Sequence, residues 1–206
     1  SRFLALKKMN VLAGCLHLVS FIAILLLAND FSLPVRAIYL TEAPGTGNFT
    51  DGINLFNLNT GYMVAAFMAL SAFFHFFVSS PQVFPKYVDG LTRHINVYRW
   101  VEYSLSSSIM IIIILQLNGV ADYIALLAIF GVNASMILFG WLQERMNPPG
   151  RTKTTMMPFW FGTICGVMPW IGIWINVIGA DTVPGFVFGI VIGIATLVAL
   201  VAAFDV

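Results

Sequence analysis

Six stretches of the chain run for about 20 residues each with almost no charge, near 11–28, 61–79, 98–117, 120–142, 156–178 and 183–204. In helical conformation about 20 apolar residues cross the hydrocarbon core of a bilayer. A membrane-spanning segment must also satisfy its own backbone polar groups, which helices do. The pattern therefore predicts an all-α membrane protein, with six transmembrane helices in one domain over 1–206. Of the 206 residues 59% are hydrophobic and only 9% charged, against roughly a quarter charged in soluble domains; mean hydropathy is +0.90. Lys and Arg number 10 against 9 Asp and Glu, so there is no basic surplus with which to bind nucleic acid. Cys15 and Cys165 both lie in apolar stretches, which leaves neither a disulfide framework nor a thiolate zinc site. The first span has no signal-peptide exit and is followed by five more, so it is expected to stay in the mature protein.

Nine of the ten basic residues fall on one side of this plan: Arg2, Lys7 and Lys8 before span one, Lys86, Arg93 and Arg99 around the second connection, and Arg145, Arg151 and Lys153 between spans four and five. Only Arg36 lies on the other. Basic residues stay cytoplasmic, which predicts a multi-pass protein of the cell membrane with its N-terminus inside. The outer connection 29–60 is long. An extended run at 35–40, a turn-rich Ala43-Pro44-Gly45-Thr46-Gly47-Asn48 and a second extended run at 53–58 predict a β-hairpin, placed to cap the outer face or meet a partner subunit. Asn147-Pro148-Pro149-Gly150 is a plain inner turn, and no internal repeat is visible.

Several motifs have bland readings. Asn48-Phe49-Thr50 is a glycosylation sequon, but Asn133-Ala134-Ser135 matches equally well inside span four, so the pattern carries little weight. Gly162 and Gly166, and Gly185, Gly189 and Gly193, recur at intervals of four and favour close helix approach. There is no phosphate-binding loop, no HExxH and no nucleophile elbow, so a soluble type of enzyme chemistry has no foothold and the chain is not read as an enzyme.

Titratable groups at membrane depth remain, and these suggest function because they are costly there. His17, His75 and Glu102 lie about 10, 6 and 6 Å in from the inner ends of spans one, two and three, at 1.5 Å per residue. Ser71 and Ser106 sit one turn deeper than His75 and Glu102, and Tyr103 adjoins the carboxylate; together they make a polar cavity. The competing reading pairs Glu102 with Arg99 at i−3 and lets it snorkel to the interface, and each histidine taken alone reads as a satisfied helix-end residue. A cavity of this kind suits a two-histidine, one-carboxylate metal site or proton handling. Trp141, Trp160, Trp170, Trp174, Phe159, Phe161, Met136 and Met168 supply an aromatic and thioether lining, which can clamp an elongated apolar ligand or simply pack helices.

The run Arg99-Trp100-Val101-Glu102-Tyr103-Ser104-Leu105-Ser106-Ser107-Ser108, with Pro158-Phe159-Trp160-Phe161-Gly162 and Val167-Met168-Pro169-Trp170, closely resembles heliorhodopsins over almost the whole chain to about Gly189. The inner N-terminus and the long outer loop, which in that family forms a β-structure at a dimer interface, agree. The resemblance implies all-trans retinal held as a protonated Schiff base, with Glu102 as its counterion. It implies that His17 and His75 belong to the adjoining polar cavity, with Ser71 and Tyr103 lining it, and that Asn133, Met136, Trp160, Ile164 and Met168 neighbour the polyene. It also implies seven spans, the seventh carrying the retinal-binding lysine. The last lysine here is Lys153, in a loop, and the end of span six, 195–205, departs from the aromatic-rich stretch of the family. The expectation is a partial chain whose final helix follows Val206; a six-span protein without covalent retinal is the alternative. The function implied is light sensing, with signalling to an unidentified cytoplasmic partner favoured over pumping because no second acidic station lies within the spans. The rivals are a proton or ion transporter using the His17, His75 and Glu102 cavity, a metal-dependent membrane enzyme, and an assembly protein acting through its outer hairpin.

Overall fold

The computed structural model describes residues 2–180 together with Gly185, Gly189, Ile192 and Gly193. The elements in order are α1 (Arg2–Leu27), β1 (Ser32–Ala37), β2 (Ile53–Asn59), α2 (Thr60–Ser79), α3 (Phe84–Thr92), α4 (Val97–Leu117), α5 (Tyr123–Met146) and α6 (Met157–Gly179). Among the described residues five helices, α1, α2, α4, α5 and α6, are long and apolar enough to cross a membrane, which agrees with the first five expected spans. The sixth expected span, near 183–204, lies outside the described residues apart from the four named. Contacts divide the chain into two compact units, Ser1–Pro169 and Trp170–Val206. In the second, Ile173 and Val177 are buried one turn apart on α6.

In the first unit α1 packs on α2, α2 on α4 and α4 on α5. Three helix starts are set by side-chain caps: Asn59 accepts from the Tyr62 N–H, Asn96 from the Arg99 N–H and Asp122 from the Ala125 N–H. Such caps satisfy N–H groups that have no partner in the first helical turn. The Asp122 cap starts α5 at Tyr123 rather than at 120, after a turn in which Gly119 takes a positive φ of 88°. α1 begins nine residues before the apolar stretch, because helix hydrogen bonding does not stop where charge begins. Its N-terminal part carries Lys7, whose Nζ lies 5.3 Å from the Phe84 ring centroid.

The expected hairpin is an antiparallel pair with Ser32 opposite Asn59 and Val35 opposite Phe56. Between Val35 and Arg36 the register slips, because Arg36 faces Asn54 and Leu55 is left over. β1 runs three residues earlier than expected, over Ser32–Ala37, and beyond it Leu40 makes only an isolated bridge to Phe49. Beyond the slip the Arg36 N–H donates to the Ala121 carbonyl at 2.8 Å, and Arg36 bridges Asp122 in parallel. A bulge re-aims a strand in this way, and here it fastens the hairpin to the α4–α5 turn, with Val35 and Ala37 buried.

A short helix, α3, occupies the connection between the second and third expected spans, for which no element was expected. Phe84, Tyr87, Val88 and Leu91 follow the i, i+3, i+4, i+7 spacing of an amphipathic helix, and Tyr87 is buried against Tyr98 of α4 with ring centroids 5.9 Å apart. Two close helix approaches shape the bundle. A Cβ on Gly14 of α1 would lie 3.0 Å from the Phe76 ring and 3.2 Å from the His75 Cβ, and one on Gly140 of α5 would lie 2.3 Å from the Trp100 ring.

Candidate functional site

A cavity of about 480 Å³ lies among α1, α2 and α4. From α1 it receives Asn10 and His17, from α2 Ser71 and His75, and from α4 Glu102, Tyr103 and Ser106. Each pair sits on one helix face because residues three, four or seven apart share a side. Gly14, between Asn10 and His17, lets α1 approach α2 at this level. Phe67, Phe74, Val78 and Met110 supply an apolar wall, and Tyr87, Asn96, Tyr98, Arg99 and Ser107 complete the lining.

Glu102 is 9% exposed, and its Oε1 accepts a 2.7 Å hydrogen bond from the Ser71 hydroxyl. It does not pair with Arg99. That guanidinium instead meets Glu144 Oε1 at 2.7 Å and lies over the Trp100 ring at 4.5 Å. The other oxygen of Glu144 accepts from the Asn96 N–H at 2.8 Å. The interfacial pairing is therefore between α4 and α5, which leaves the Glu102 carboxylate to the interior. The His17 and His75 rings stack 5.4 Å apart with planes inclined by 11°, and His75 Nδ1 is 3.0 Å from Asn10 Oδ1. Among the described residues no group of three or more His, Cys, Asp and Glu side chains is placed to hold a metal ion.

The structure thus brings His17, His75, Ser71, Glu102, Tyr103 and Ser106 to one cavity. Asn133 reaches it indirectly. Its Nδ2 donates to Ser107 Oγ at 2.8 Å and to Ser108 Oγ at 3.0 Å, while the Ser107 hydroxyl donates to the Tyr103 carbonyl. Ser107 itself is on the cavity wall. Met136 is half-buried at the α5–α6 approach, its Sδ 2.6 Å from where a Gly166 Cβ would be. Trp160, Ile164 and Met168 form a stripe along α6 at four-residue spacing, 60%, 57% and 55% exposed, and they do not line the polar cavity.

Sequence reasoning missed Asn10, Ser107 and the Arg99–Glu144 pair. A signal existed for Asn10, because Asn10, Gly14 and His17 fall at i, i+4 and i+7 in an apolar helix. None existed for Arg99 and Glu144, which are 45 residues apart.

Two stability effects follow from this geometry. Asn133→Leu removes both bonds to the α4 serines and is expected to cost about 1–2 kcal/mol, the scale of interhelical hydrogen bonds in membranes. Glu144→Ala removes an exposed ion pair, itself contributing about 0–1 kcal/mol, and also the acceptor for the Asn96 N–H, for a combined loss of about 1–3 kcal/mol. Glu144→Gln keeps an acceptor there and should recover most of that loss. Thermal unfolding in detergent measures both effects, and a Gln variant as unstable as the Ala variant would put the stabilisation in the charge rather than the cap.

A family model described as Heliorhodopsin matches residues 6–205 of the chain. No curated protein matches it.

Proposed function

The chain belongs to the heliorhodopsin family, whose members are retinal-binding microbial rhodopsins, and from that premise we propose that it is a light-sensing photoreceptor. In this reading all-trans retinal is held as a protonated Schiff base with Glu102 as counterion, and the response is signalling rather than ion pumping. The observation that carries it is the Glu102 carboxylate, buried on the wall of a polar cavity that also contains a stacked histidine pair.

The residues present fit the charged end of such a chromophore. Ser71 holds Oε1 of Glu102, and the other oxygen has no hydrogen-bond partner among the described residues, which leaves it available to a cation. Retinal, when bound, supplies light absorption and photoisomerisation. The protein's part is electrostatic and positional. Ser71 orients the carboxylate. His17 and His75 accept and hold a proton released nearby, within the polar cavity that Ser71, Tyr103 and Ser106 line with them. Asn133, Met136, Trp160, Ile164 and Met168 bound the apolar part of the pocket, Asn133 through its hold on Ser107.

Retention of the proton is favoured because Asp122 and Glu144, two acids at span ends among the described residues, are engaged elsewhere. The Asp122 carboxylate caps α5 by accepting from the Ala125 N–H, while Glu144 pairs with Arg99 and accepts from the Asn96 N–H. The asymmetry of basic residues supports a cytoplasmic N-terminus. The exposed apolar side chains of the hairpin, Tyr39, Leu40, Phe49 and Phe56, support a homodimer formed through the outer loop and membrane helices. A cytoplasmic signalling partner completes the scheme.

Full-length protein expressed with all-trans retinal is expected to show a visible absorbance band. Reconstituted in vesicles it should give no sustained light-driven pH change. Steady transport under illumination would overturn the sensing reading in favour of a pump, and proton flux in the dark would favour a channel.

A further inference from the structure

Asn10 is a buried amide in the first span whose two ends are both committed. Its Nδ2 donates to the Leu6 carbonyl at 3.1 Å, one turn earlier on α1. That bond fixes which way the amide faces, because the flipped orientation would set two oxygens against each other. Oδ1 is then the atom 3.0 Å from His75 Nδ1. An amide oxygen only accepts, so Nδ1 of His75 must carry the proton. A neutral imidazole has one protonated and one unprotonated nitrogen, so the lone pair sits on Nε2. The neighbouring groups leave this assignment intact. The Ser79 hydroxyl donates to the His75 backbone carbonyl and not to the ring, and His17 meets the ring face to face. The Ser71 hydroxyl is given to Glu102.

We propose that Asn10 is a positioning residue, which locks His75 in the Nδ1–H tautomer and so makes Nε2 the proton-accepting atom that this ring offers to the cavity. The acceptor role rests on the photoreceptor reading above, whereas the tautomer does not. An incoming proton bonds to the Nε2 lone pair and the Nδ1–H bond stays intact. The hydrogen bond to Oδ1 then becomes charge-assisted and stronger, so the same amide that sets the tautomer also holds the protonated ring in place.

The test is nitrogen NMR on full-length protein in lipid, kept in the dark, with labelled histidine. The chain has only three histidines, His17, His75 and His94, and a His75→Gln variant assigns the His75 signals by difference. At a pH where the ring is neutral, Nδ1 is expected to appear protonated and Nε2 unprotonated. Asn10→Leu should lower the ratio of the Nδ1–H to the Nε2–H form roughly fivefold, the scale of one net hydrogen bond. Asn10→Asp keeps an acceptor and should retain the Nδ1–H form. An Nε2–H ring in the parent overturns the proposal, and so does a ratio that Asn10→Leu leaves unchanged. The parent measurement stands even if a variant fails to fold. Because the readout needs no illumination, its failure is distinguishable from failure of the photoreceptor reading, which visible absorbance reports.

Discussion

Replacing Glu102 by glutamine is expected to move the visible band of the retinal-loaded protein to longer wavelength, and to lower the pH at which that band is lost by about 3 units. The substitution is nearly isosteric and still offers an oxygen to the Ser71 hydroxyl, which now donates to Oε1 at 2.7 Å, so what changes is charge. A negative charge beside a cation stabilises the ground state more than an excited state whose positive charge has moved away. Removing it narrows the gap between them. The second effect follows from magnitude. An ion pair in contact contributes about 4 kcal/mol at an effective dielectric of about 20, and each unit of pH corresponds to roughly 1.4 kcal/mol. Burial at 9% exposure keeps solvent screening from erasing the interaction. Glu102→Asp retains the charge and should keep most of the pH range. A band whose position and pH dependence ignore the glutamine substitution would remove Glu102 from the counterion role, and with it the central element of the proposed function.

Gly140→Ala is expected to destabilise the protein by about 1–3 kcal/mol, the usual cost of forcing extra volume into a packed interior. The added Cβ would lie 2.3 and 2.4 Å from two carbons of the Trp100 ring. An indole cannot fold out of the way, and this one also carries the Arg99 guanidinium on its face. Relief requires α4 and α5 to separate, and that strains the Arg99–Glu144 pair and the Asn133–serine bonds together. Gly166→Ala is the natural control. Its Cβ would meet Met136 Sδ at 2.6 Å, but an unbranched thioether re-packs readily, so that loss should stay below about 1.5 kcal/mol. Thermal unfolding of the two variants side by side decides it. Equal midpoints for Gly140→Ala and the parent would mean that Trp100 is not held against α5 as described.

Several parts of the site were readable without coordinates because they depend on one helix at a time. His17, His75 and Glu102 stand out as ionisable groups in apolar surroundings, and Ser71 and Ser106 fall on their faces by helical spacing alone. The pairing of Glu102 was not readable. Arg99, three residues earlier, is the obvious local partner, yet the carboxylate meets Ser71, 31 residues away, and Arg99 meets Glu144. Likewise the alternation around 35–40 and 53–58 announces a hairpin, but its ends depend on Arg36 reaching the Ala121 carbonyl. α3 carried its own amphipathic signal in Phe84, Tyr87, Val88 and Leu91, obscured by the brevity of the segment and by Pro85.

Apolar run length and charge placement are properties of a segment against its solvent, so the sequence alone determined that this chain lives in a bilayer as a set of spanning helices. The family motif likewise needs only adjacent residues. Which side chains meet across helices is a different kind of quantity. It depends on how closely helices approach at Gly14 and Gly140, and on which of several acceptors a donor reaches first. Only the tertiary structure decided that Glu102 faces inward to Ser71, that Asn10 holds His75, and that Asn133 is tied to the serines of α4. Hydrogen bonds act over about 3 Å, and no local pattern specifies distances that short between residues so far apart in the chain.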